Sequence, residues 1–188
     1  MKKIGITGSL ASGKTTASKI LSRGKRPFFS ADDFVKKLYN KASFKNRLLK
    51  DFGIKNKSKI KDILREKIIN NISNLKRLEK IIHPLVRREM KIFIKKNKRK
   101  KLVFLEIPLL IESRLMHNFD AVIFIKAKKS IRLRRFITKG GNKKLFVTLN
   151  KKQLTDAKKI KFSDYVVVNE SNIKILKKKL LAILKNYE

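Results

Sequence analysis

Two hydrophobic rhythms run along this chain. One is a set of short apolar runs, too short for helices and too continuous for a half-exposed sheet. They are Lys3-Ile4-Gly5-Ile6-Thr7, Phe28-Phe29-Ser30, 101–106, 120–125 and 164–169. Such runs read as strands buried on both faces, which is how strands of a parallel sheet read. The other rhythm is helical. Ala17, Ile20 and Leu21 recur at helical spacing over 16–22. Residues 34–98 read as helix throughout, starting with 34–39 and broken near Gly53 and Pro84. Within them Leu48, Leu49 and Phe52 form one apolar face; Ile60, Ile63, Leu64, Ile68, Ile69 and Ile72 form another. Residues 130–137 and 173–184 read as two further helices. Strands joined by helices predict an α/β fold with right-handed crossovers. The long helical stretch between the second and third strands predicts an inserted subdomain.

Between the first strand and the first helix lies Gly8-Ser9-Leu10-Ala11-Ser12-Gly13-Lys14-Thr15. It fits G-x-x-x-x-G-K-[ST], the P-loop, in the strand–loop–helix context that the motif requires. Gly8 and Gly13 free the backbone to converge its N–H groups on phosphate oxygens. The start of the following helix favours the same anion. Lys14 is expected to reach the β- and γ-phosphates, Thr15 to offer a hydroxyl to Mg²⁺, and Thr16 to bond the α-phosphate.

Two carboxylate positions fall at predicted strand ends, where an open α/β sheet places its ligand crevice. Asp32 and Asp33 follow the second strand. Asp32 is the candidate to accept a proton from a substrate hydroxyl or to hold a metal through water; one of the pair is expected to cap the next helix. Glu106 ends the third strand, where it can lie near Mg²⁺ or serve as an ion-pair partner. His83 stands alone, and by spacing reads as a structural or surface residue; Pro84 marks a local helix start. The helix over 130–137 carries Arg132, Arg134 and Arg135 and runs into Gly140-Gly141. That pattern suits either a lid closing on phosphates or a solvated basic helix with a flexible turn.

Composition narrows the classes. The 188 residues suffice for one domain with a moderate core. Cysteine is absent, which excludes disulfides, thiolate metal sites and a cysteine nucleophile. No apolar run approaches the ~20 residues of a membrane span, and no signal peptide precedes the first strand, so a cytoplasmic protein is expected. The net charge is +37, from 51 basic and 14 acidic residues. It is spread over the whole chain rather than gathered in a tail. A lysine-biased composition accounts for it, with non-specific, salt-sensitive affinity for polyanions. No specific nucleic acid and no membrane partner are expected. A nucleic-acid module that retains a nucleotide site is the rival of a different class; three Tyr and no Trp leave it little to stack bases on.

Taken together, these residues resemble the dephospho-CoA kinase family. The resemblance runs through Gly5-Ile6-Thr7-Gly8 into Ser12-Gly13-Lys14-Thr15-Thr16, then Ala31-Asp32 and Ile82-His83-Pro84-Leu85-Val86. It continues in Ile107-Pro108-Leu109-Leu110-Ile111-Glu112 and ends in Gln153, Lys159, Ser163-Asp164 and Val168-Asn169. It implies phosphorylation of the ribose 3′-hydroxyl of dephospho-CoA by ATP, with Mg²⁺. A P-loop kinase of another small hydroxyl substrate, such as a nucleoside monophosphate, is the alternative. Implied roles are Gly8 and Ala11 to Thr16 on ATP, Lys14 and Asp32 in catalysis, and Asp32, His83 and Arg87 on the substrate. Thr15 and Glu106 fall at the metal, and Arg135 and Lys139 in the lid. The fold implied is a three-layer P-loop NTPase fold with a five-stranded parallel sheet. Its core covers about 1–33, 100–130 and 160–188, with a helical substrate-binding insertion over about 34–99 and a lid over about 131–159. A monomer or a small homo-oligomer is compatible with it.

Four departures from the family pattern stand out. Ser30 occupies the first position of Asp-Ala-Asp, Ser9 and Ala11 replace loop glycines, and Glu106 replaces an Asp. A lysine, Lys139, takes the place of the second lid arginine and gives up bidentate phosphate recognition.

Overall fold

A computed structural model describes residues 1–187. Five strands form one sheet: β1 (Lys2–Gly8), β2 (Phe28–Ser30), β3 (Leu102–Glu106), β4 (Ala121–Lys126) and β5 (Tyr165–Val168). Their order is β2-β3-β1-β4-β5, and every pairing is parallel. The order reverses about β1, so the crevice at this switch point lies beyond the carboxyl ends of β1, β3 and β4. Register brings those ends level: Ile6 pairs with Glu106, Gly8 with Ile125, and Ser30 with Glu106.

Alternation along the strands builds two cores. Leu102 and Phe104 of β3 join Ile4, Ile6, Ile123 and Val167 on one face. That face is covered by α1 (Lys14–Ser22), through Ala17 and Leu21, and by α9 (Ile173–Leu184), through Leu176, Leu180 and Leu184. Val103 and Leu105 point the other way, onto Met90 of α5 (Ser73–Lys96). A third core lies away from the sheet. It gathers Leu38 of α2 (Ala31–Leu38), Phe44, Leu48 and Phe52 of α3 (Ala42–Phe52), Leu64 and Ile68 of α4 (Ile60–Asn70), and Ile81 of α5.

The helical stretch differs from the expectation in its breaks. Gly53 does end α3, in left-handed conformation with φ of +60°, and its N–H turns back to Leu49 and Lys50. Pro84 breaks nothing. It lies inside α5, which runs unbroken for 24 residues. A proline removes one backbone donor, and here apolar residues on both sides of it, Ile81, Ile82, Leu85 and Val86, pack into the cores and hold the helix. The helix after β2 begins at Ala31, earlier than residue 34, and neither aspartate caps it. Ser30 does: its hydroxyl accepts from the Asp33 N–H at 3.2 Å.

Between β4 and β5 lie α6 (Lys129–Thr138), α7 (Lys143–Lys152) and α8 (Asp156–Ile160). Leu145 and Phe146 give α7 a buried face, while α8 has only five residues. Among the described residues no helix is long and apolar enough to cross a membrane.

Candidate active site

The loop after β1 has no room for side chains at its glycines. A Cβ on Gly8 would lie 2.5 Å from the Ile125 carbonyl oxygen and 2.6 Å from Ser12 Oγ. Gly13 adopts φ of +98°. Ala11 is also left-handed, with φ of +59°. For a residue with a Cβ that conformation costs about 1 kcal/mol or more and must be held by its surroundings. The helix α1 starts at Lys14 with no side-chain cap, so its first N–H groups remain open to an anion.

Lys14 is buried and turned back on the loop, donating to the Gly8 and Ser9 carbonyls at 3.2 Å each. Burial pushes its ammonium below the usual lysine range; the carboxylates of Asp32 and Glu106 work against that shift. Thr15 Oγ1 donates to Glu106 Oε1 at 2.8 Å, which joins the loop to the end of β3. Burial pushes the Glu106 carboxyl above the usual carboxylate range, and the Thr15 bond offsets part of it. The second oxygen, Oε2, is buried and has no hydrogen-bond partner among the described residues. An orphaned carboxylate oxygen beside a threonine hydroxyl is a donor set that suits Mg²⁺, which takes few protein ligands and completes its shell with water and phosphate. No cluster of three or more His, Asp or Glu suited to a metal occurs among the described residues.

A cavity of about 170 Å³ opens between α2, α5 and the turn that follows Glu106, the residue bonded to Thr15. Its apolar walls are Val35, Ile82, Val86 and the Ile107-Pro108-Leu109 turn that follows Glu106. Thr7 Oγ1 of β1 donates to the Pro108 carbonyl at 3.2 Å and ties that turn to the sheet. Three sequence-predicted residues meet in the cavity: Asp32 from the first turn of α2, and His83 and Arg87 from α5. His83 and Arg87 are one helical turn apart and so share a face, which continuity of α5 through Pro84 guarantees.

Arg135 of α6 reaches the loop. It donates to the Ser12 carbonyl at 3.3 Å and to the Asn169 carbonyl at 3.2 Å. Lys139 stands at the exposed C-terminal end of α6. Thr16 is exposed on α1.

Sequence reasoning assigned no role to several residues that build the loop's surroundings. Asn169 Nδ2 donates to the Ser12 carbonyl at 2.8 Å. Gln153 accepts from the Leu10 N–H, Arg132 donates to the Leu10 carbonyl, and Asp156 accepts from the Ser9 hydroxyl. Glu112 and the fully buried Lys159 form an ion pair at 2.7 Å. Gln153, Lys159, Glu112 and Asn169 lie within the resembling segments, and that was a usable signal. Arg132 belongs to the arginine cluster of the basic helix singled out in the sequence, which did not mark it as the one that reaches the loop; Asp156 carried no signal.

A parallel sheet with its switch point at a P-loop, and a side cavity carrying an aspartate, defines a P-loop phosphotransferase of the small-molecule kinase class. A family model for dephospho-CoA kinase matches residues 2–174. The dephospho-CoA kinase of Bartonella quintana is 34% identical over 191 residues, covering 99% of this chain and 98% of that one. The Thermus thermophilus protein TT1252 superposes with a TM-score of 0.74 at 27% identity, over 100% of this chain and 98% of the other. The dephospho-CoA kinase of Campylobacter jejuni shares the fold, with a TM-score of 0.65 at 23% identity over 100% and 97% of the two chains. The chain belongs to the dephospho-CoA kinase family.

Proposed function

We propose that this chain phosphorylates the ribose 3′-hydroxyl of dephospho-CoA with ATP, in the cytoplasm. The carrying observation is the meeting of Asp32, His83 and Arg87 in one cavity next to the end of β3, whose Glu106 bonds Thr15 of the P-loop, within a chain of this family. ATP lies along the loop, its β- and γ-phosphates on the backbone N–H groups and on Lys14. Thr15 and Glu106 would hold Mg²⁺, which would supply charge neutralisation to the phosphates. Dephospho-CoA enters the cavity between α2 and α5. Its 3′-hydroxyl oxygen attacks the γ-phosphorus, the bond to the β–γ bridging oxygen breaks, ADP leaves, and the hydroxyl proton passes to the Asp32 carboxylate. His83 and Arg87 supply a donor and a cation for the acceptor's polar groups, and the apolar walls of the cavity exclude water. Phosphoryl transfer depends chiefly on positioning and charge, so a small set of residues suffices. Residues 34–99 would serve as the acceptor-binding insertion and 131–159 as the lid, with Arg135 on the nucleotide.

Asp32→Asn tests the base directly. Steady-state turnover is expected to fall about 10²–10⁴-fold, the usual contribution of a positioned general base, with ATP affinity retained. Turnover within about threefold of the parent chain would remove Asp32 from this role.

A further inference from the structure

The P-loop tip is gripped from outside at two consecutive residues. Leu10 is held by both its peptide groups: its N–H donates to Gln153 Oε1 at 2.9 Å, and its carbonyl accepts from Arg132 Nη1 at 3.3 Å. The preceding residue, Ser9, donates its hydroxyl to Asp156. The following residue is Ala11, the left-handed position. The three gripping residues all come from the stretch between β4 and β5, more than 120 positions away in the chain.

Each of the two Leu10 contacts is itself braced. Arg132 is 5% exposed. Its Nε donates to the Ala127 carbonyl at 3.1 Å, Nη1 also donates to Asn150 Oδ1 at 2.8 Å, and the guanidinium lies 5.8 Å from the Phe146 ring centre. Gln153 is fixed through its neighbour: the Leu154 N–H donates to Glu112 Oε1 at 3.2 Å, and that same oxygen pairs with Lys159. Glu112 stands beside Ser113, which lines the acceptor cavity. A side chain with so many bonds inside the fold is not free to follow a moving loop, so the loop follows it.

We infer that Arg132 and Gln153 are positioning residues. By fixing both peptide groups of Leu10, they keep Ala11 left-handed and hold the loop open to phosphate before nucleotide arrives. This rests on the nucleotide reading of the loop. Its logic is local: a glycine takes left-handed backbone freely, and the alanine at position 11 needs an external hold.

Titration calorimetry with Mg·ADP separates a positioning role from a merely structural one. The parent chain is compared with R132M and Q153M, each with and without A11G, alongside thermal melting. Each single variant is expected to bind ADP about tenfold more weakly. A11G is expected to recover most of that loss in both backgrounds, since glycine takes the left-handed conformation unaided, without recovering melting temperature. On the parent chain A11G is expected to weaken binding, because it loosens a loop already held. This reversal of sign is the signature of the clamp. R132M and Q153M binding as tightly as the parent would overturn the inference. So would A11G failing to restore affinity, which would assign both residues to general folding. Q153M is the milder lesion, since Gln153 is half-buried, and it keeps the test open if R132M does not fold. No ADP binding by the parent chain would instead overturn the nucleotide reading, and the clamp with it.

Discussion

Burial works against Glu106 in the ligand-free protein. Its carboxyl is raised above the ordinary range, chiefly by desolvation. The folded chain therefore holds this proton more tightly than the unfolded chain. The stability that Glu106 contributes is full below the unfolded carboxylate pKa and is lost as pH rises through the raised folded value. At neutral pH the ionised side chain is a cost, with Oε2 left unpartnered. Glu106→Gln is accordingly expected to raise the melting temperature of the ligand-free protein at pH 7.5 by about 2–4 °C, the shift that about 1 kcal/mol produces in a chain of this size. The gain should shrink as pH falls toward 4. Turnover should drop at least about 100-fold. Melting scans from pH 4 to 8 check the sign; an unchanged or lower melting temperature at pH 7.5 would contradict it. Such a residue is legible from sequence because its position is local: a carboxylate ends an apolar run. Asp156 is not. Its partner Ser9 is 147 positions away, and no spacing rule spans that distance.

At the scale of elements, the departure at Ser30 has a physical reading. Ser30 caps α2, and serine and aspartate are near-equivalent N-caps. The cap sets the first turn of α2, which carries Asp32. Ser30→Ala should cost about 1 kcal/mol of stability, and Ser30→Asp should restore it. Denaturant unfolding measures both; equal stability of the alanine variant and the parent would leave the cap without weight. Strands were legible because each is a continuous apolar run; β3 is buried along its whole length, whereas Val166 and Val168 of the edge strand β5 stay exposed. Helix boundaries were less so. Proline at position 84 read as a stop because local rules see only the lost N–H and the ring. The apolar residues flanking it in α5 pack into two different cores, which local rules do not register. The short α8 has five residues, too few for a periodic signal.

At the scale of the whole molecule, the fold is an order of five parallel strands with the site at its switch point. That architecture followed from alternating strand and helix signals together with one loop motif. The order β2-β3-β1-β4-β5 did not, because it is set by contacts between distant segments. The charge of +37 is spread over the fold, and only some acidic side chains pair within their own helix, as Asp33 with Lys36 and Asp51 with Arg47. What it does provide is a positive field that favours approach of anionic nucleotides. The central claim is a donor loop and an acceptor cavity in one molecule, and one measurement addresses it. ADP formation from ATP·Mg²⁺ is followed with and without dephospho-CoA, with Lys14→Ala as the blank and the product's phosphate position determined. The account predicts ADP release that depends on dephospho-CoA, a new phosphate on the ribose 3′-oxygen, and no product from the blank. ATP binding with no dependence on dephospho-CoA would contradict it.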